Sequence, residues 1–219
     1  MQTKNHDYTE YKIILKRGLP GQFKIYFVFS IGKNHNDNNL EFIGIGEIKP
    51  RKGFDLVIKA LPAIVKKYPT IKYKIVGPGD YSWLAKICHE YNVEKNVIFT
   101  GPKSDDELVN EIHNSYAYIH APRIIDNNFE GFGIVYIEAN ACGIPALGSR
   151  SGGVPDAIVH EKTGLLFAEN SIDEITQAML RVIEDRSFYE SLKSNCINWA
   201  KAHDWKEIGK QYLELYHKI

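Results

Sequence analysis

The chain lacks any apolar run long enough to cross a bilayer. Its longest, such as residues 25–31, fall far short of the roughly 20 residues a spanning helix needs. It also lacks a charge bias, with 27 Lys+Arg against 27 Asp+Glu. That balance argues against a nucleic-acid surface or a polybasic membrane patch and leaves room only for a local basic cluster. The three cysteines, Cys88, Cys142 and Cys196, are odd in number, widely spaced and set in helical patterns, which points to reduced thiols and against a disulfide or structural zinc. Polar residues follow Met1 where a basic and apolar leader would stand, so the chain reads as cytoplasmic. Gly44-x-Gly46 lacks the third glycine of a dinucleotide fingerprint, and no G-x-x-x-x-G-K-S/T stands in the chain. Neither NAD binding nor P-loop phosphoryl transfer is supported. Tyr and Trp are scattered over core-like positions, which offers no stacking platform for nucleic acid.

What is present is a rhythm. From residue 40 onward, short β-rich runs (40–46, 72–77, 97–101, 117–122, 145–149, 164–167) alternate with helical patterns (54–67, 81–91, 104–113, 133–142), and helices follow to the C-terminus. Such alternation predicts an α/β fold, a Rossmann-like parallel sheet with helices on both faces. Ser104-x-x-Glu107 and Ser171-x-x-Glu174 look like capping boxes, and Asp204-x-x-Glu207 offers a similar start to the last helix. Residues 8–17 look helical, 18–21 form a Gly-Leu-Pro-Gly turn, 24–30 look like a strand and 34–39 form a polar linker. The expected organisation is a remnant of another domain in 1–39, one Rossmann-like domain in 40–202, and a C-terminal helix in 203–219.

In doubly wound sheets ligands sit beyond the carboxyl ends of the strands, where this chain places Gly46, Gly77-Pro-Gly79, Gly101 and Gly152-Gly153. The densest chemistry lies in E-G-F-G-I-V-Y-I-E, residues 130–138. Gly131 and Gly133 permit a tight turn and close ligand approach, and good helix formers follow from Ile134. The first N–H groups of that helix lack internal partners and, with the macrodipole, suit a phosphate or sugar oxygen. Glu138 falls among apolar neighbours, where a carboxylate needs a hydrogen-bond donor such as a ribose diol. Without further context, Glu130 reads equally as a solvated loop acid and Glu138 as a carboxylate tied to nearby backbone. Lys49-Pro-Arg51-Lys52-Gly53 puts cations at the positive end of a helix dipole, a conflict that a bound anion would remove; the alternative is a solvated surface cluster. His113 and His120 show no Ser or Asp partner in the sequence and read as structural or solvated. Tyr81 and Trp83 could stack on a base.

Taken together, G-E-I-K-P-R-K-G-F-D at 46–55, V-G-P-G at 76–79, V-I-F-T-G at 97–101, E-G-F-G-I-V-Y-I-E-A at 130–139, A-C-G-I-P at 141–145, S-G-G-V-P-D at 151–156 and T-G-L-L-F at 163–167 resemble the C-terminal, nucleotide-sugar-binding domain of retaining GT-B glycosyltransferases with the E-x7-E motif. That group includes α-mannosyl- and α-glucosyltransferases and glycogen and sucrose synthases. The resemblance implies that Glu138 holds the ribose and Glu130 the donor sugar. It also implies that the backbone of Gly131, Phe132, Gly133, Ile134 and Val135, with Gly46, approaches sugar or phosphate. Lys52 neutralises the diphosphate, so Lys52 and Glu130 carry the catalytic expectation. No metal or cofactor is called for; the UDP-, GDP- or ADP-linked sugar is the substrate.

Two departures stand out. Where the family usually has an arginine after the first-strand glycine, this chain has Glu47, so Lys49 or Arg51 would have to supply the missing cation, and Arg51 is the expected substitute because its planar fork suits phosphate. A GT-B enzyme also has two Rossmann-like domains, and this chain has room for one. Donor binding would then be retained, while transfer would require an N-terminal-domain chain or a homodimer partner, which could also bring the protein to a membrane. The stripe Trp205, Ile208, Tyr212, Leu215 and Ile219 fits either packing on this domain or crossing to that partner. A nucleotide-sugar-binding or regulatory subunit without transferase activity is the competing expectation.

Overall fold

The computed structural model describes residues 14–17, 23–26 and 40–217, with side chains from residue 40 on except those of 205 and 206. Six strands form one all-parallel sheet: β3 (Glu41–Ile45), β4 (Lys72–Val76), β5 (Val97–Gly101), β6 (Ala117–His120), β7 (Ala146–Ser149) and β8 (Gly164–Phe167). Their order is β5-β4-β3-β6-β7-β8. The chain therefore builds outward from β3 in one direction through β4 and β5, then returns to β3 and builds in the other. The reversal leaves a crevice at the carboxyl ends of β3 and β6, the position where open α/β sheets receive ligands.

Helices cover both faces of the sheet, and all five residues of the central strand β3 are buried. One face packs against α1 (Phe54–Val65), α2 (Ser82–Glu90), α6 (Ile172–Glu184) and the first half of α7 (Arg186–Ala202). The other packs against α3 (Asp105–His113), α4 (Ile134–Ala141), the short α5 (Val154–Ala157) and the end of α7. Buried tyrosines keep their hydroxyls satisfied: Tyr116 stacks on Tyr189 at 4.2 Å, donates to Val182 O at 2.7 Å and accepts the Tyr189 hydroxyl on its own carbonyl at 2.8 Å. Cys88, Cys142 and Cys196 are free and buried, and burial pushes the Cys88 thiol up to about 11.

The expected helix boundaries fall close to the observed ones. Ser104 and Glu107 form a reciprocal capping box. At α6 only half of the box forms: Ser171 accepts the Glu174 N–H, but the Glu174 carboxylate turns away to accept from Ala168 N at 2.7 Å. The last helix is α8 (Trp205–Tyr216).

One expectation is overturned. Ile14–Arg17, read as helical, is strand β1, paired antiparallel with β2 (Phe23–Tyr26) from Ile14 opposite Tyr26 to Arg17 opposite Phe23. The ladder supplies backbone partners from residues 23–26, which a local helical period cannot anticipate. The remaining parts of the expected N-terminal helix, turn, strand and linker lie outside the described residues.

Candidate donor site at the sheet crevice

Two loops meet over the crevice. The first leaves β3 at Gly46, makes a one-turn 3-10 helix over Pro50–Lys52 and enters α1 through Gly53. The second leaves β6 at His120 and runs to α4. Arg123 ties them together: its N–H donates to Arg51 O at 2.9 Å, and its guanidinium grips the nearly buried Asp55 with two bonds of 3.1 Å.

From the first loop Lys52 reaches across to Glu130, forming an ion pair with Oε2; the two side chains are 14% and 15% exposed. Arg51, 28% exposed, approaches the same oxygen at 3.4 Å and the Phe129 carbonyl at 3.5 Å. The cations at the start of α1 are therefore not a solvated cluster. Their conflict with the helix dipole is offset by a carboxylate from a loop 78 residues away. Glu47, the unexpected acid, pairs with Lys49 at 2.9 Å on the open surface, while Arg51 turns toward Glu130 and the crevice.

The second lip is the start of α4. Gly133 caps the helix in the left-handed conformation, no side chain caps its N-terminus, and its first turn contains no acid. The dipole end is thus left to the crevice, where Gly131 and Ile134 are exposed. Gly152-Gly153 set this lip's height: Gly153 N–H donates to Glu130 O at 2.9 Å, and a side-chain carbon on Gly153 would overlap the Gly131 carbonyl. Phe132 stacks toward His203 at 6.2 Å, anchoring the lip to the end of α7. Farther along α4, buried Asn140 donates to Ile144 O at 3.1 Å and Thr163 O at 3.2 Å, fixing the helix against β8. Glu138 is half-buried on the same helix as Val135.

Lys52, Glu130, Arg51, Gly46 and residues 131–135 thus come together at one crevice, with Glu138 on the helix that leads from it. Tyr81 and Trp83 are half-buried: the Tyr81 hydroxyl donates to Gly77 O, its ring packs on Phe99 at 5.0 Å, and Trp83 packs on the core. His120, read from the sequence as structural or solvated, is buried at the crevice. It forms the floor of the crevice among Phe54, Tyr118 and Tyr136, and burial together with Lys52 and Arg51 holds its pKa well below the usual histidine value. Its imidazole nitrogens had no partner nearby in sequence except Tyr118, two residues back on the strand. Among the described residues no cluster of His, Cys, Asp and Glu suits a metal ion.

A parallel doubly wound sheet with a cation-and-carboxylate crevice at its switch point defines a Rossmann-like domain. Residues 29–199 match the model of the family Glycosyl transferases group 1, and the chain belongs to that family. Over 167 residues it is 34% identical to the GDP-mannose-dependent alpha-(1-6)-phosphatidylinositol monomannoside mannosyltransferase of Mycobacterium tuberculosis, a match covering 74% of this chain and 43% of that protein. Its fold is similar to that of Anabaena HepE in complex with UDP, with a TM-score of 0.71 and 22% identity over 83% of this chain and 50% of that one. It is also similar to sucrose-phosphate synthase of Thermosynechococcus elongatus, with a TM-score of 0.73 and 24% identity over 84% of this chain and 46% of that one. The chain spans about half the length of the relatives it matches. No helix among the described residues is long and apolar enough to cross a membrane.

Proposed function

We propose that this chain is the donor-binding half of a retaining glycosyltransferase. It holds a nucleotide-diphosphate sugar for transfer to a glycan or lipid-linked acceptor, and the acceptor half is supplied by further chain, a separate N-terminal-domain chain or a homodimer partner. The observation that carries this is the convergence of Lys52, Arg51, Glu130 and the uncapped start of α4 on one crevice. A diphosphate matches the two cations and the helix end, and hydroxyls match the carboxylates.

In the ligand-free arrangement Lys52 and Glu130 neutralise each other. An arriving diphosphate draws Lys52 to its own oxygens and leaves Glu130 free to accept from sugar hydroxyls, while Glu138 accepts from the ribose. When the bond between the sugar's anomeric carbon and the phosphate oxygen breaks, its electron pair stays on the β-phosphate. The Lys52 ammonium and the α4 dipole stabilise that charge, so the leaving group needs no proton at the moment of departure. GDP-mannose appears in one relative's name and UDP in one neighbour's crystal; the crevice residues described above address the parts those two share and leave the base open.

A second reading, a nucleotide-sugar-binding or regulatory subunit without transferase activity, is favoured by Glu47, an acid beside the crevice where the family resemblance expects an arginine. Titration calorimetry with UDP-glucose, GDP-mannose and ADP-glucose tests what the two readings share: at least one binds, and Glu138→Ala weakens it about ten- to a hundredfold. Heat from none of them contradicts both. Sugar transfer on addition of an acceptor half separates the two.

A further inference from the structure

His120 closes β6 with a ring 2% exposed, held 4.9 Å from Phe54 and edge-on to Tyr118. Its Nδ1 lies 3.1 Å from the Tyr118 hydroxyl, which in turn lies 3.4 Å from the Ile45 carbonyl. Both contacts are hydrogen bonds only when Nδ1 carries the proton and donates to Tyr118, whose own proton goes to Ile45. The remaining nitrogen, Nε2, then offers a lone pair, and it is buried without a partner. The ring stays neutral at ordinary pH because burial and the nearby cations disfavour its charged form.

This acceptor belongs to the crevice. A side-chain carbon placed on Gly46 would sit 3.7 Å from His120 Cε1, 3.7 Å from Lys52 Cε and 3.9 Å from Lys52 Nζ, so the glycine keeps open a space bordered by both side chains. Buried polar atoms in folded proteins are almost always partnered, and here the missing partner must donate a proton. A phosphate oxygen cannot, whereas a sugar hydroxyl can.

We propose that His120 Nε2 accepts a hydrogen bond from a hydroxyl of the sugar carried by the bound nucleotide, which makes His120 a specificity-determining residue; this rests on the nucleotide-sugar reading above. The rival partner for Nε2 is the Lys52 ammonium, which would make His120 a support for the diphosphate instead.

Calorimetry with paired ligands, GDP-mannose against GDP and UDP-glucose against UDP, separates these. His120→Leu weakens the nucleotide sugar about five- to tenfold, the size of one neutral hydrogen bond, and leaves the free nucleoside diphosphate within about twofold. Tyr118→Phe, which releases Nδ1 and the tautomer it fixes, gives a smaller loss confined to the same ligand. Thermal midpoints establish that the variants are folded, and if His120→Leu is not, His120→Gln and Tyr118→Phe carry the comparison. Equal losses for sugar and free diphosphate, or no loss, overturn the role of His120 alone. A wild-type chain that binds none of the four overturns the nucleotide-sugar reading and this proposal with it.

Discussion

Lys52 and Glu130, 78 residues apart in sequence, form an ion pair across the mouth of the sheet crevice, with Arg51 3.4 Å from the same carboxylate oxygen. In a double-mutant cycle of Lys52→Ala and Glu130→Ala, urea unfolding should give a coupling of about 1 kcal/mol. That is near the upper end for exposed pairs, because both side chains are largely shielded. A coupling near zero would mean that the pair does not persist in solution.

Arg123 grips Asp55 through two bonds and binds the loop after β6 to the start of α1. Arg123→Ala leaves a nearly buried carboxylate with only the longer Lys59 contact of 3.6 Å. The expected cost is about 2–3 kcal/mol, or roughly 4–12 °C in thermal midpoint, read by calorimetric melting.

Two glycines on the same lip should respond differently. A methyl group on Gly153 would overlap the Gly131 carbonyl, whereas one on Gly131 meets nothing within 4 Å. Gly153→Ala is expected to lower the melting temperature by several degrees, the result of about 1–3 kcal/mol of overpacking. Gly131→Ala should leave it nearly unchanged while weakening nucleotide-sugar binding, because the added carbon intrudes only on the open crevice.

The folded protein holds His120 well below its ordinary pKa, and His113 and His160 are lowered as well, chiefly by burial. The unfolded chain therefore binds more protons once pH falls below about 6.5, and stability is present above that value and lost as pH drops through it. Urea midpoints at pH 7, 6 and 5 should decline in wild type and decline less steeply in His120→Gln. An unchanged slope would place the loss on the other two histidines.

Much of this fold is legible in the sequence because its signals are local. Short β-rich runs and period-3.6 patterns place all six sheet strands and the long helices, and Ser104 with Glu107 marks a helix start within four residues. The crevice is less legible. Lys52 and Glu130 carry their chemistry in plain view, but their pairing depends on a strand order that reverses at β3. Gly152-Gly153 read as a turn signal, while their close contact with residues 130–131 exists only after folding. His120 looked ordinary because its unpartnered nitrogen is a property of the packed floor. β1 was missed because its backbone partners lie on a separate strand, Phe23–Tyr26.

The crevice closed by Lys52 and Glu130 is expected to receive the diphosphate of a nucleotide sugar. Calorimetric titration of GDP-mannose and UDP-glucose into wild type and Lys52→Ala tests it most directly. At least one ligand should bind wild type, and Lys52→Ala should lose about tenfold or more of that affinity, the size of one charge-assisted hydrogen bond. Equal affinity in the two proteins would contradict it.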